Sequence, residues 1–533
     1  MNIQQVSDIN QNHKRLKHIQ RFSELKETCS YVFHPINAFH LLHRIIKWIP
    51  KLSKVIPSLD FQFSLPSSQD ANVGAANGIA DLQEHYNTNP IDFIHGKVQD
   101  YETGSIYYSN SNLTSQETLV IATAAKMAGY LDSYVSWCKA ALQVSKLEKR
   151  DPKYLSNIKK LIQKAKSAHD EAYNSFNFTK KLDTFVRLNE KPFLSSVATE
   201  IQETEFNLRY QDIQSRYENV IYKSTPYLEL QNDLGHRLDF YLRRRSQSLC
   251  RGDFVRHPML ELNLHCLWLH HDDPYLKLAP FKLEYQHRHP EVTIIHDFAS
   301  PEELAKVRNL AKGHMKSTPY LTGKHCSKMR LFLIIFKHSL FFIGGTETKE
   351  EESYSKLRTS KVMYMNELLV PEAMRLSKKV QQVTRFKLKD DKYGSENFQV
   401  MNYGIGGRIS THLDSVGGRT KDTSEAEEVG GFRVTTFMVY MSDVQAGGRT
   451  IFPQAGISVK PEEGKALFWY NVGTRSNFDS RIFHLGCPVM YGNKWIANKW
   501  IKLLPQFQNF PSWRRYLYYT TVDPYKRNKV SPF

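Results

Sequence analysis

From about residue 286 the chain is a series of short apolar runs broken by turn residues. The runs are EVTIIHDF, NFQVMNYG, RVTTFMVYMSDV, TIFPQAG, ISVKP, KALFWYNV and HLGCPVMYGNKWIANKWIKL. Each is rich in β-branched and aromatic residues and stops at Gly, Pro or Asn, the pattern of strands and turns. Several short strands at this spacing imply a sandwich or a barrel, built antiparallel. One helix is expected among them. In SPEELAKVRNLA, residues 300–311, Ser300 stands as a cap and Pro301 falls in the first turn.

The first 235 or so residues follow another period. SDINQNHKRLKHIQRFSEL and AFHLLHRIIKWIPKLSKVI place apolar residues every three or four positions, which predicts helices. In residues 113–148 Thr114 and Glu117 fit a capping box, Gly129 punctuates, and Asp132 is positioned to cap a second helix. Ala124, Ala125, Trp137, Ala140 and Ala141 give the small-and-large interdigitation of a tetratricopeptide-like pair.

Charge excludes little by itself. Among 533 residues 72 are basic and 54 acidic, a formal +18, but the basic residues are spread along helix-like and linker stretches. No nucleic-acid signature accompanies them, so no nucleic-acid partner is expected. Six cysteines with no C-x-x-C exclude a disulfide scaffold and a zinc ribbon. Cys250 and Cys266 lie sixteen apart, read either as one local disulfide or as two free thiols. The most apolar run, residues 329–345, is too short for a membrane span and carries Lys337 and His338 at its middle. It has neither helical nor strand period and reads as an insertion. No apolar signal segment is visible at the N-terminus, whereas the sequons at Asn112 and Asn177 point to a secretory compartment.

The pattern H-x-D occurs three times. His270/Asp272 and His271/Asp273 overlap in LHHDDPY, ahead of a proline in an expected loop. The third, His412/Asp414 in GGRISTHLDSVGG, follows a strand-like run and precedes His484 and Lys494. Two imidazoles and a carboxylate on one face of a metal suit non-haem Fe(II) and leave positions open for a chelating co-substrate and O₂. A keto dicarboxylate chelates at one end and needs a cation at the other, and Lys494 has that reach. A turn at Gly492-Asn493 is expected to set His484 and Lys494 on adjacent antiparallel strands. The alternative is a barrel histidine and a surface lysine.

NYGIGG, HLD, YMSDVQAGGRTIFPQAGISVKPEEGKALFWYN and CPVMYGNKWIANKW resemble the catalytic domain of collagen-type prolyl 4-hydroxylase alpha subunits. HPINAFHLLHR and VGAANGIADLQEHYN resemble that family's N-terminal assembly region, and the helix pair its peptide-substrate-binding repeat. The resemblance implies a multidomain α + β protein: an all-helical N-terminal half with a tetratricopeptide-like pair, then a double-stranded β-helix (jelly roll). The implied segments are 1–105 (assembly), 106–240 (peptide-binding), 241–285 (linker), 286–505 (dioxygenase, with an insertion near 325–358) and a tail, 506–533. It implies a 2-oxoglutarate-dependent procollagen-proline 4-dioxygenase acting on X-Pro-Gly peptides, with L-ascorbate as a further cofactor. Fe(II) would be held by His412, Asp414 and His484, and 2-oxoglutarate by Lys494 with Tyr403 in the same pocket. Protein disulfide isomerase would be the beta subunit of an alpha2beta2 tetramer in the endoplasmic reticulum lumen. A Cys250–Cys266 disulfide is implied as well. Tyr130, Tyr134 and Trp137 would stack on a proline-rich peptide, or else form repeat core. The chain departs from the family at Ile409 and Ser415, where aromatics are usual, and at Phe483, where a basic residue is usual. No cysteine follows Cys487, which matches a half-cystine of the family. Two alternatives therefore stand beside the main reading: an oxygenase with another peptide substrate, and a non-catalytic peptide-binding member.

Overall fold

The computed structural model describes residues 31–55, 74–175, 187–188, 192–194, 236–317 except 257, 263 and 289, 332–336, 339–343, 360–388 except 368, 394–414, 433–472 and 480–506. Six principal helices come first: α1 (Pro35–Val55), α2 (Ala75–Tyr86), α3 (Ser115–Ala128), α4 (Leu131–Leu147), α5 (Pro152–Ser175) and α6 (His236–Arg251). Then follow β1 (Cys266–Leu269), α7 (Pro274–Leu278), β2 (Phe281–Arg288), β3 (Glu291–His296), α8 (Pro301–Lys312), β4 (Lys316–Ser317), β5 (Lys361–Met365), α9 (Pro371–Thr384), β6 (Phe398–Tyr403), β7 (Ile409–His412), β8 (Arg433–Tyr440), β9 (Thr450–Phe452), β10 (Ile457–Val459), β11 (Ala466–Tyr470), β12 (His484–Gly486) and β13 (Lys494–Lys502).

The helix ends follow their local chemistry. Thr114 and Glu117 form a reciprocal capping box on α3, and Gly129 closes it at φ 88°. Ser300 caps α8 in the same way, with Pro301 in the first turn. Asp132 does not cap α4. Tyr130 occupies that position, and the Asp132 carboxylate accepts from Ser133 N at 2.7 Å and from Arg243 Nη2 at 2.7 Å. The guanidinium recruits it because Arg243 also binds the buried Glu84. The N-terminal part is not purely helical, since a ribbon of Lys97–Gln99 and Ile106–Tyr108 turns around Asp100. The Asp100 side chain accepts from Glu102 N and Thr103 Oγ1. The expected helix in residues 7–25 lies outside the described residues.

Two antiparallel sheets face each other in the C-terminal half. The larger runs β1-β2-β3-β11-β8-β13-β6-β5-β4, and the smaller β7-β12-β9-β10. Met401, Met438, Tyr440, Trp469 and Ile496 from the larger sheet meet Phe452, Ile457 and Val459 from the smaller in one buried core. The opposite face of the larger sheet is covered by α8 and α9 through Leu304, Val307, Leu376 and Val380. Residues 241–285, expected as a linker, instead supply α6 and strands of the large sheet. Within the apolar run, Phe332–Phe336 pairs antiparallel with Ser339–Ile343. No helix of the described residues is long and apolar enough to cross a membrane.

The helices close the outer side of the small sheet. Their core is continuous with Ile451, Leu485, Cys487 and Met490. Gly406 sits at φ 68°, and a Cβ there would stand 2.6 Å from the Gly78 Cα of α2, so this position needs the bare backbone. Tyr86 of α2 donates to Pro488 O and accepts from Gly448 N. Arg245 of α6 donates to Pro453 O. The disulfide is Cys250–Cys487, across 237 residues, which corrects the Cys250–Cys266 pairing. Docking of α6 on the small sheet brings Cys250 to the residue after β12, whereas Cys266 is an exposed thiol on an edge strand.

A disulfide over so long a loop predicts that Cys250→Ser or Cys487→Ser destabilises the chain by about 2–4 kcal/mol, and Cys266→Ser by less than about 0.5 kcal/mol. Denaturant midpoints check this. Equal midpoints for Cys250→Ser and Cys266→Ser contradict the pairing.

Candidate metal centre

The centre starts from strand register. β7 and β12 pair antiparallel, and His412 lies directly opposite His484. Their ring centroids are 4.3 Å apart. Asp414 follows two residues after His412, where the strand has ended, and turns its carboxylate between the imidazoles. Oδ1 is 3.4 Å from His412 Nε2 and Oδ2 is 3.7 Å from His484 Nε2. One ligand atom from each of the three residues falls within 4.8 Å of the others.

Both histidines are oriented by their own chain. His412 Nδ1 lies 2.8 Å from Ser410 O, and His484 Nδ1 lies 3.1 Å from Ile482 O. A carbonyl can only accept, so each Nδ1 carries the proton and each Nε2 presents its lone pair to the centre. Burial alone would raise the Asp414 carboxyl. His484 and His412 in their protonated forms, together with the Arg433 guanidinium, outweigh it and hold the carboxyl well below the usual range, and a bound metal would take the place of the Nε2 protons. Asp414 is therefore a carboxylate, and the donor set of two neutral imidazoles and one anion fits a divalent transition metal such as Fe(II).

A further layer fixes the carboxylate. Thr436 Oγ1 donates to Asp414 Oδ2 at 2.8 Å, and Asn471 Nδ2 donates to Thr436 Oγ1 at 3.0 Å. Arg433 Nη1 donates to Asp414 O at 3.3 Å while Glu396 holds the same guanidinium with both oxygens. These four residues were not legible as site residues. Their trace is faint: two threonines, Thr435 and Thr436, and one arginine inside an otherwise apolar strand.

Lys494 lies on the other sheet. It is the cross-strand partner of Tyr403, so both side chains enter the space between the sheets. Its Nζ donates to Gly448 O at 2.6 Å and to Thr450 Oγ1 at 3.3 Å. The Tyr403 and Tyr440 ring centroids stand 5.7 Å and 5.8 Å from it. Burial is the cause that lowers its pKa to about 7. Among the described residues no carboxylate forms an ion pair with it. His484 and Lys494 are thus not hairpin neighbours. The segment Val489–Tyr491 pairs with Ala446–Gly447, and the turn at Gly492, φ 110°, passes the chain from the small sheet to the large one.

The other candidates fall elsewhere. Tyr130, Tyr134 and Trp137 are 5%, 5% and 0% exposed, so their rings form helical core and offer no open face for stacking. The upstream H-x-D pairs belong to a loop in which Asp273 caps α7 and His271 Nε2 meets Val383 O. Ile409 lies opposite Gly486, and a Cβ on that glycine would be 3.1 Å from Ile409 Cγ2 and 3.8 Å from Lys494 Nζ. Phe483 is half-buried beside His484, and Ser415 lies outside the described residues.

Comparison with known proteins agrees with this geometry. Residues 398–502 match the 2OG-Fe(II) oxygenase superfamily, and residues 3–100 match the prolyl 4-hydroxylase alpha-subunit N-terminal region. Prolyl 4-hydroxylase subunit alpha-2 of Gallus gallus is 28% identical over 505 residues, covering 88% of this chain and 82% of that protein. Subunit alpha-1 of Homo sapiens is 28% identical over 500 residues, covering 89% and 84%. A viral collagen prolyl hydroxylase from Paramecium Bursaria Chlorella virus-1, solved with 2-oxoglutarate, aligns at 22% identity and a TM-score of 0.27 over 39% of this chain and 94% of that one. Residues 398–502 therefore form a 2OG-Fe(II) oxygenase domain, a class that employs Fe(II) and 2-oxoglutarate. Taken over most of its length, the chain is similar to prolyl 4-hydroxylase alpha subunits, at 28% identity.

Proposed function

We propose that this chain hydroxylates proline at C4 in X-Pro-Gly-type peptides, as the alpha subunit of a procollagen-proline 4-dioxygenase. The observation that carries the reading is the convergence of His412, Asp414 and His484 between the same two sheets that enclose the buried cation of Lys494. In this reading the three side chains hold Fe(II), and Lys494 with Tyr403 receives the far carboxylate of 2-oxoglutarate. Thr450, which Lys494 touches, pairs with Gly486, two residues along β12 from His484. Two strand residues span about 6–7 Å, comparable to the reach of a five-carbon dicarboxylate. Fe(II), when bound, supplies the O₂ chemistry that couples decarboxylation of 2-oxoglutarate to C–H hydroxylation, giving succinate, CO₂ and the alcohol.

The chain's own residues do the remainder. Asp414 and His484 have side chains 4% and 6% exposed and His412 27%, so the peptide approaches on the His412 side. Trp469 and Phe452 pack against the His484 ring and keep water from it. Thr436 holds the carboxylate and Arg433 the main-chain carbonyl of Asp414, so the donor set does not reorganise on loading. The disulfide supports an oxidising compartment, here the endoplasmic reticulum lumen. The relatives are named as subunits, which supports an assembly; we assign protein disulfide isomerase as the partner and ascorbate as the reductant that maintains the iron.

A second reading, an oxygenase for another peptide, is favoured by the burial of Tyr130, Tyr134 and Trp137, which removes the expected aromatic platform. Succinate release separates the two. A (Pro-Pro-Gly)-type peptide should stimulate Fe(II)-dependent release, with one oxygen added at proline, and His412→Ala should lower the rate at least ~100-fold. No stimulation by proline-rich peptides, or oxygen located on another residue, contradicts the first reading.

The lowered lysine gives a pH signature. Lys494 is protonated below about pH 7 and loses its charge above it. A carboxylate binds the protonated form, so 2-oxoglutarate affinity should fall as pH rises past 7, by up to ~10-fold per unit. Lys494→Arg keeps its charge throughout and should flatten the profile. An unchanged slope in that variant removes Lys494 from the co-substrate site.

A further inference from the structure

The strand that carries His412 is tied to the helical half by buried polar groups that the oxygenase fold alone does not supply. Asp81 of α2 lies with Oδ2 2.9 Å from Arg408 Nε, and both side chains are under a tenth exposed. Tyr130 Oη donates to Asp81 Oδ1 at 2.5 Å and accepts from Arg408 Nη2 at 3.1 Å. Arg408 Nη1 in turn donates to Ser410 Oγ at 2.6 Å. Ser410 is the residue whose carbonyl accepts from His412 Nδ1 at 2.8 Å. One continuous path thus runs from the second helix to a metal-facing imidazole. The backbone contact of Gly78 with Gly406 anchors the same helix to the start of the same strand.

We infer that Asp81, Tyr130 and Arg408 are positioning residues for the metal centre, so that the helical half completes the oxygenase site rather than merely adjoining it. This rests on the reading of His412, Asp414 and His484 as metal ligands. The physical reason is the cost of a mobile ligand. A histidine whose Nδ1 partner is fixed presents Nε2 in one direction, and outer partners of this kind commonly change metal affinity 10–100-fold. Ser410 is half-buried on a four-residue strand at the edge of the small sheet, so its carbonyl needs support from outside the ladder. Arg408 steadies the residue through the Ser410 hydroxyl, and only while Asp81 and Tyr130 hold the guanidinium, because a buried unpaired cation would turn away toward water. Tyr130 was expected on a peptide-binding surface. Its hydroxyl instead closes this triad.

The test is Co(II) titration of the metal-free full-length protein, read by visible absorption, with no turnover involved. Asp81→Asn should weaken Co(II) binding ~10-fold or more and alter the Co(II) spectrum. Tyr130→Phe, which removes a single hydroxyl, should weaken it about threefold or more by the same route. Tyr86→Phe loosens the same helical junction without touching the path and should leave Co(II) affinity within about twofold. Unchanged affinity in both Asp81→Asn and Tyr130→Phe overturns the inference. Equal losses in Tyr86→Phe and Tyr130→Phe also overturn it, because general loosening then explains the effect. Should Asp81→Asn fail to fold, Tyr130→Phe decides alone. Failure of the unsubstituted protein to bind Co(II) removes the metal-site reading, and the inference with it.

Discussion

The pairing of β7 with β12 is the constraint on which the site depends. It sets His412 opposite His484, and a slip of one residue would send one imidazole to the other face of the sheet. The ladder is short, with a shift between Ile409 and His412, so backbone hydrogen bonds alone hold it weakly. Its neighbours supply what it lacks. β9 extends the sheet, the large sheet packs one face, and the helices close the other. The disulfide from α6 lands one residue beyond β12 and pins the far side. The three candidate ligands are fixed by elements drawn from nearly the whole described chain.

Charge inside this enclosure is handled asymmetrically. Asp414 is surrounded by donors and kept ionised, whereas Lys494 is buried against a carbonyl and a hydroxyl with its charge uncompensated among the described residues. A buried cation without an anion is costly to maintain, and a cavity that keeps one suits an anionic ligand. The two centres sit on opposite sheets, so an anion spanning them would bridge the sandwich. This is the physical sense in which the fold and the co-substrate fit each other.

Much of this was legible in the residues. Short strands with turn residues announced the paired sheets, and His412 and Asp414 stood out from the two upstream H-x-D pairs because a strand-like run precedes them and His484 and Lys494 follow. The helix caps at Thr114 and Ser300 were legible because capping is local chemistry. Features set by the docking of distant elements were not. Cys250 had a nearer candidate in Cys266, and only the placement of α6 on the small sheet selects Cys487. Spacing placed His484 and Lys494 on neighbouring strands, but the short segment Val489–Tyr491 takes the chain across to the other sheet. Tyr130, Tyr134 and Trp137 have the composition of a recognition face, and burial decides against it. Thr436, Asn471 and Asp81 carry no signal until tertiary structure brings them to their partners.

The central claim is that one cavity binds a metal through three side chains and a keto dicarboxylate through that metal and Lys494 together. Anaerobic addition of 2-oxoglutarate to the Fe(II)-loaded full chain tests both halves at once. Chelation by the keto acid should produce a visible charge-transfer absorption with saturable 1:1 dependence on 2-oxoglutarate. That absorption should vanish in Asp414→Ala and require roughly 10-fold or more 2-oxoglutarate in Lys494→Ala, the loss of one buried charge-assisted contact. Absence of the band in the unsubstituted protein, or a band unaffected by either substitution, would contradict the account.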